Sequence, residues 1–166
     1  MKPHILLFSG GRGTNSIIQA LIRSNSFEIS VIINGYDDGL STGKIREIVP
    51  GMLGPSDFRK NISNALKAQS LEYNKSASEL ADFLERRLPF REIISNREIG
   101  LSGVIKGYEE FVTVKQDNFF SESFKIFFDY LESNRIFVDG EEEFALGNIL
   151  IAGAFIRIKS FNDTIR

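Results

Sequence analysis

Apolar positions along the chain change period several times, and each change marks an element. Ile5 to Phe8 is an unbroken apolar run, which predicts a strand buried on both faces, as in a parallel sheet. A glycine cluster, Gly10-Gly11-Arg12-Gly13, follows it. Ile17, Ile18, Leu21 and Ile22 then recur with helical spacing, predicting a helix that Asn15 or Ser16 caps and that ends near Ser24. Phe27 to Ile33 is rich in β-branched residues and reads as a second strand. Strand, helix and strand make one βαβ unit.

The second strand gives way to Asn34-Gly35-Tyr36-Asp37-Asp38-Gly39-Leu40-Ser41-Thr42-Gly43, a run of loop residues. Lys44 to Val49 is a short helical or irregular stretch before the stiff loop from Pro50 to Pro55. Ser56 is placed to cap a helix in which Phe58, Ile62, Ala65 and Leu66 keep a three-to-four spacing to about Gln69. Ser76 and Glu79 form a capping-box pattern for a helix through Leu88, ended by Pro89. No clear period runs from Arg91 to Gly107. From Asp117, Phe120, Phe124, Phe127, Phe128 and Leu131 form one apolar helical face, expected to be core rather than a base-stacking platform. Glu141-Glu142-Glu143 leads into an apolar helix from Phe144 to about Ile158. Its Ala145, Gly147, Ala152, Gly153 and Ala154 would let a neighbour approach closely.

A length of 166 residues suits a single domain, expected to span 1–166. A net charge of −2 offers no basic field, so nucleic acid is not an expected partner. Zero cysteines exclude a disulfide framework and thiolate metal sites. No apolar run approaches the ~20 residues that cross a bilayer, so no membrane partner and a cytoplasmic location are expected. The one histidine, His4, precedes the first strand and is assigned no chemistry.

The candidate chemistry sits in the loops that follow the two strands, because open parallel sheets bind ligands beyond their carboxyl ends. The first loop is not a P-loop, since no Gly-Lys-Ser/Thr follows at the required spacing. As a dinucleotide fingerprint it carries Ser16 where a third glycine belongs, and Asn34 stands where a ribose-binding acid would be. Two readings remain open: a tight turn without a ligand, and a phosphate cradle at a helix start. Asp37 and Asp38 are either a solvated turn or a polar pair for a cation. Asp57 lies in the first turn of its helix, where the dipole favours a carboxylate. Arg59 would neutralise a phosphate if it faces the same edge.

Four motifs in order resemble the 2-phospho-L-lactate transferase (CofD-like) family, nearer its YvcK-like gluconeogenesis-factor branch. They are Gly11-Arg12-Gly13-Thr14-Asn15, Asp37-Asp38-Gly39-Leu40-Ser41-Thr42-Gly43, Pro55-Ser56-Asp57-Phe58-Arg59-Lys60-Asn61 and Phe144-Ala145-Leu146-Gly147-Asn148-Ile149. Phe144 departs from the family pattern, which has His there, and Arg12, Asn15, Leu40 and Ser56 replace glycines. The resemblance covers the N-terminal half of a longer protein, so a truncated or shortened member is expected.

The resemblance implies an α/β fold, a Rossmann-like parallel sheet with a helical insertion at about 71–143. It implies binding of a nucleotide or nucleotide-sugar diphosphate, either for phospholactyl-type transfer or for regulation without turnover. On that reading Gly11, Arg12, Gly13, Thr14, Asn15, Ser41, Thr42, Arg59, Gly147 and Asn148 contact the ligand. Asp37, Asp38 and Asp57 are the catalytic candidates, and Asp38 is the ligand for Mg²⁺. A homodimer is a further expectation.

Overall fold

The computed structural model describes residues 1–10, 13–36, 39–73, 75–95, 114–160 and 163–164. Its first elements follow the apolar pattern: β1 (His4–Ser9), α1 (Asn15–Ser24) and β2 (Glu28–Ile33). The two strands pair in parallel, with Ile5 opposite Ile29 and Leu7 opposite Val31. Both therefore end at one edge, from which the chain passes into α1 and into α2 (Leu40–Ile48). The fold is mixed α/β, and among the described residues this parallel sheet has two strands.

Strand burial departs from the expectation of two covered faces. Ser9 is buried and Ile5 and Leu7 are half-buried, but Leu6 and Phe8 are 53% and 73% exposed, and Ile32 is 45% exposed. Leu6, Phe8 and Ile32 share one face of the sheet, which is bare among the described residues. A continuous apolar run predicts a strand with two apolar faces; it cannot report whether a layer covers each of them.

The remaining elements are α3 (Pro55–Tyr73), α4 (Lys75–Glu85), β3 (Arg87–Pro89), α5 (Phe90–Ser95), α6 (Val114–Ser133), β4 (Glu143–Ala145) and α7 (Leu146–Ile158). α3 opens at Pro55, whose fixed φ and missing N–H suit a first helical turn. Ser56 is consequently inside the helix rather than its cap. α4 stops at Glu85, short of the expected Leu88, because Arg87-Leu88-Pro89 pairs antiparallel with Glu143-Phe144-Ala145. The same pairing takes Phe144 and Ala145 out of the expected helix. α7 starts at Leu146, whose N–H donates to the Arg86 carbonyl at 2.9 Å.

The phenylalanine face of α6 is core, as its spacing predicts. Phe124, Phe127 and Phe128 are buried, with Phe90 stacked on Phe128 at 5.9 Å and edge-on to Phe144 at 5.7 Å. Such ring pairs add about 0.5–1.5 kcal/mol each beyond the area they bury. α7 runs through the middle, with every residue from Leu146 to Leu150 buried. No helix of the described residues is long and apolar enough to cross a membrane.

Close approach of α6 and α7 depends on Gly153. A Cβ there would lie 1.8 Å from the Ser123 carbonyl oxygen. In an open helix Gly→Ala stabilises by up to about 1 kcal/mol. Here the added methyl meets backbone, so the sign reverses. Gly153→Ala is expected to lower stability by about 1–3 kcal/mol in urea denaturation. A variant as stable as the parent chain would contradict this packing.

Candidate functional site

α3 is the element on which the candidate site is assembled. Its apolar residues Phe58, Ile62 and Leu66 pack on the core as their spacing predicts. Its first turns also carry Ser56, Asp57, Arg59, Asn61 and Ser63, all of them buried. A helix face that is polar and yet buried must find partners for its side chains, because each group left unpaired costs about 1–3 kcal/mol. Ser63 Oγ finds no partner among the described residues, and the partners of Ser56, Arg59 and Asn61 come from two directions.

Toward α2 and α7, the Thr42 hydroxyl donates to Ser56 Oγ at 2.5 Å, and Asn148 Nδ2 donates to the same oxygen at 3.0 Å. A hydroxyl oxygen has two lone pairs and can accept both. Arg59 Nη1 donates to Asn148 Oδ1 at 3.2 Å, and Arg59 Nε donates to Glu85 Oε1 at 3.0 Å. Thr42, Ser56, Asn148, Arg59 and Glu85 thus form one connected run. Toward β1 and α1, Ser9 Oγ donates to Asn61 Oδ1 at 3.0 Å and lies 2.5 Å from Thr14 Oγ1. Ser9 has a single proton, so Thr14 is the donor in that pair. Asn61 Nδ2 donates to the Asp57 carbonyl at 2.8 Å, and Asn64 Nδ2 donates to Asn15 Oδ1 at 2.6 Å.

These partners share a position in their own elements. Thr14 precedes α1, Thr42 lies in the first turn of α2, Ser56 in that of α3, and Asn148 in that of α7. The starts of α2, α3 and α7 therefore meet at Ser56, while the start of α1 and the end of β1 reach α3 one to two turns further along, at Asn61 and Asn64. Thr14, Gly39 and Ala145, at the N-cap positions of α1, α2 and α7, make no side-chain cap. Helix starts carry partial positive charge and outward-facing N–H groups. The nearest carboxylate of α3, Asp57, is mostly buried and paired with Lys60 at 2.9 Å.

Burial pulls the Arg59 guanidinium pKa below its ordinary value, and the neighbouring Glu85 carboxylate acts against that shift. An arginine stays protonated regardless. Its charge is answered by Glu85, whose side chain is 34% exposed, and by the Asn148 carbonyl oxygen. Among the described residues Arg59 is a strut between α3, α4 and α7.

Most sequence-predicted residues fall around α3. Thr42, Arg59 and Asn148 belong to the run through Ser56, Thr14 and Asn15 bond to the Ser9–Asn61 group and to Asn64, Gly147 lies under Arg59, and Ser41 lies in the first turn of α2. Gly13 is in the exposed turn before Thr14. Gly11, Arg12, Asp37 and Asp38 lie outside the described residues. No cluster of three or more His, Asp or Glu suited to a metal ion occurs among the described residues. Sequence reasoning missed Ser9, Asn61, Asn64 and Glu85, and took Ser56 for a cap. No clear signal for the asparagines was present in the sequence: Asp57, Asn61 and Asn64 share a helix face at i, i+4, i+7, but Lys60 lies on it too, as on a solvated face.

No family model matches the chain, and no solved structure matches it. Over 74 residues the chain is 34% identical to a Streptococcus pneumoniae protein provisionally named a gluconeogenesis factor. Those residues make up 45% of this chain and 22% of that protein, so the likeness covers only about a fifth of the relative's length.

The network makes Gly147 a sensitive position. A Cβ there would lie 2.9 Å from Arg59 Cγ and Cδ and 2.9 Å from the Leu84 carbonyl oxygen. Arginine methylenes can move, but the backbone carbonyl cannot. Gly147→Ala is expected to cost about 1–3 kcal/mol by denaturant titration. Combining it with Arg59→Ala should not restore stability, because the Leu84 contact remains. Recovery in the double variant would show that the clash is with the arginine alone.

Proposed function

We propose that the chain binds the diphosphate of a nucleotide or nucleotide-sugar where the starts of α1, α2, α3 and α7 gather. The gathering of those helix starts around the polar side chains of α3, with α2 and α7 bonded at Ser56 and the end of β1 bonded at Asn61, carries the reading. Helix starts directed at one place suit an anion whose charge is spread over several oxygens. The network beneath them fixes their relative positions, as a preorganised anion site needs.

On this reading Gly11, Arg12, Gly13 and Thr14 hold one phosphate from the turn after β1. Ser41 and Thr42 hold the other from the start of α2, while Asn15, Arg59, Gly147 and Asn148 support that surface from below. Asp37 and Asp38, in the loop between β2 and α2, are the residue types that would hold Mg²⁺ against a diphosphate, with Asp38 the direct ligand. A divalent cation there would neutralise ligand charge.

We further propose ligand binding without group transfer, with occupancy acting as a regulatory signal. Phe144 supports this choice. It occupies the position where the resembled family has His, yet it is buried in the core against Phe90, so no proton-transferring group reaches the site from there. Asp57, the described member of the catalytic candidates, is engaged by Lys60. The similarity to a protein named for gluconeogenesis leans the same way.

Calorimetric titration with UDP-glucose, GDP-mannose and the corresponding diphosphates, with and without Mg²⁺, tests the reading. Saturable binding is expected, weakened about tenfold or more by Arg12→Ala and by Asp38→Ala, since each removes a charged contact. Binding unchanged in both variants would place the site elsewhere. Transfer of the sugar or phosphate to any acceptor would overturn the regulatory reading.

A further inference from the structure

Beside the network, on the outer side of α2, lies an open cleft of about 610 Å³. The turn after β2, one face of α2 and the loop from Gly51 to Leu53 enclose it. Its lining mixes the Tyr36 ring, the Arg46 and Glu47 side chains and the apolar Met52 and Leu53. We propose that this cleft is the nucleobase subsite, with Tyr36 as its stacking platform. The proposal rests on the diphosphate reading above and adds where the base goes.

Tyr36 is conspicuous because it is 73% exposed at a place where the backbone is firmly held. Gly35, just before it, is buried and accepts a hydrogen bond from Gly54 N–H at 2.7 Å. A Cβ on Gly35 would sit 3.0–3.3 Å from the Leu53 side chain, so the turn and the 51–53 loop are packed in contact. The Tyr36 N–H donates to Asn34 Oδ1 at 3.0 Å, which closes a local side-chain turn. Arg46 places its guanidinium carbon 5.9 Å from the ring centroid. An aromatic ring with one face occupied by a cation and a large area still open is a preorganised platform for a flat, π-bearing group.

Position and chemistry then select the occupant. The two walls of the cleft continue along the chain into segments of the proposed phosphate site. Gly43 follows Thr42 along α2, and the 51–53 loop runs through Gly54 into Pro55 and Ser56 at the start of α3. A molecule with phosphates at the helix starts would extend its next group toward this cleft. A nucleobase offers an apolar face for Tyr36 and a polar edge, and Arg46 and Glu47 supply a donor and an acceptor for that edge. A sugar lacks the π-face that the ring is placed to meet.

Calorimetry with three probes on the full chain separates this proposal from the one it rests on. The probes are UDP-glucose, GDP-mannose and inorganic pyrophosphate, titrated into the parent chain, Tyr36→Ala and Tyr36→Phe. The parent chain should bind at least one nucleotide-sugar more tightly than pyrophosphate. Tyr36→Ala should weaken that nucleotide-sugar about tenfold and leave pyrophosphate unchanged, while Tyr36→Phe stays within about twofold of the parent. Nucleotide-sugars binding no tighter than pyrophosphate would overturn the base subsite and leave the phosphate reading standing. An equal loss for all probes in Tyr36→Ala would make the tyrosine a structural residue and also overturn the subsite. A parent chain that binds none of the three would remove both readings.

Discussion

The Asn148 side chain sets the arrangement of the molecule around it. Its amide is fully buried, with Nδ2 donating to Ser56 and Oδ1 accepting from Arg59. A buried amide satisfied at both ends adds only about 1 kcal/mol per hydrogen bond, but an amide left unpaired there would cost about 1–3 kcal/mol. That asymmetry, more than the strength of either bond, holds the first turns of α3 and α7 in one register. Thr42 brings α2 into the same register through Ser56, and Glu85 brings the end of α4 in through Arg59.

The βαβ unit joins this helical body through polar contacts as well as apolar ones. Ser9, the buried last residue of β1, reaches Asn61, and Asn15 in the first turn of α1 reaches Asn64. Both asparagines lie on the side of α3 away from Ile62 and Leu66. The helix is therefore a spacer with a directed bond on each side. It sets the distance between the strand edge and α7 more narrowly than apolar packing alone would, since hydrogen bonds tolerate smaller errors in distance and angle. On the proposed anion-binding reading, a rigid floor under the helix starts accounts for polar residues buried where leucines would pack with less risk.

The parts of this arrangement that follow from local periodicity were legible in the sequence. The βαβ unit, the apolar face of α6 and the close packing of α7 at Gly147 and Gly153 all follow from spacing and residue size. The pairing of Arg87-Leu88-Pro89 with Glu143-Phe144-Ala145 was not legible, because residues far apart in the chain decide it. It overrode helical preference at both ends, cutting α4 short and delaying α7. The exposure of Leu6, Phe8 and Ile32 was hidden for a related reason, since burial depends on layers that a strand's own residues do not specify. At the site, Leu40-Ser41-Thr42-Gly43 read as loop because of its glycine and hydroxyls, yet it forms the start of α2, and Ser56 read as a cap because Ser before an apolar helical run is usually one. Only the neighbours across space, Thr42 and Asn148, reveal it as a junction.

The central claim is that Ser56 and Asn148 act as one unit in holding the helix starts together. A double-mutant cycle with Ser56→Ala, Asn148→Leu and the combined variant, read by urea denaturation, tests it most directly. Side chains that share a buried hydrogen bond should show a coupling of about 1 kcal/mol or more, so the combined loss should differ clearly from the sum of the single losses. Losses that add to within about 0.3 kcal/mol would mean that the two residues contribute independently, and would contradict the account.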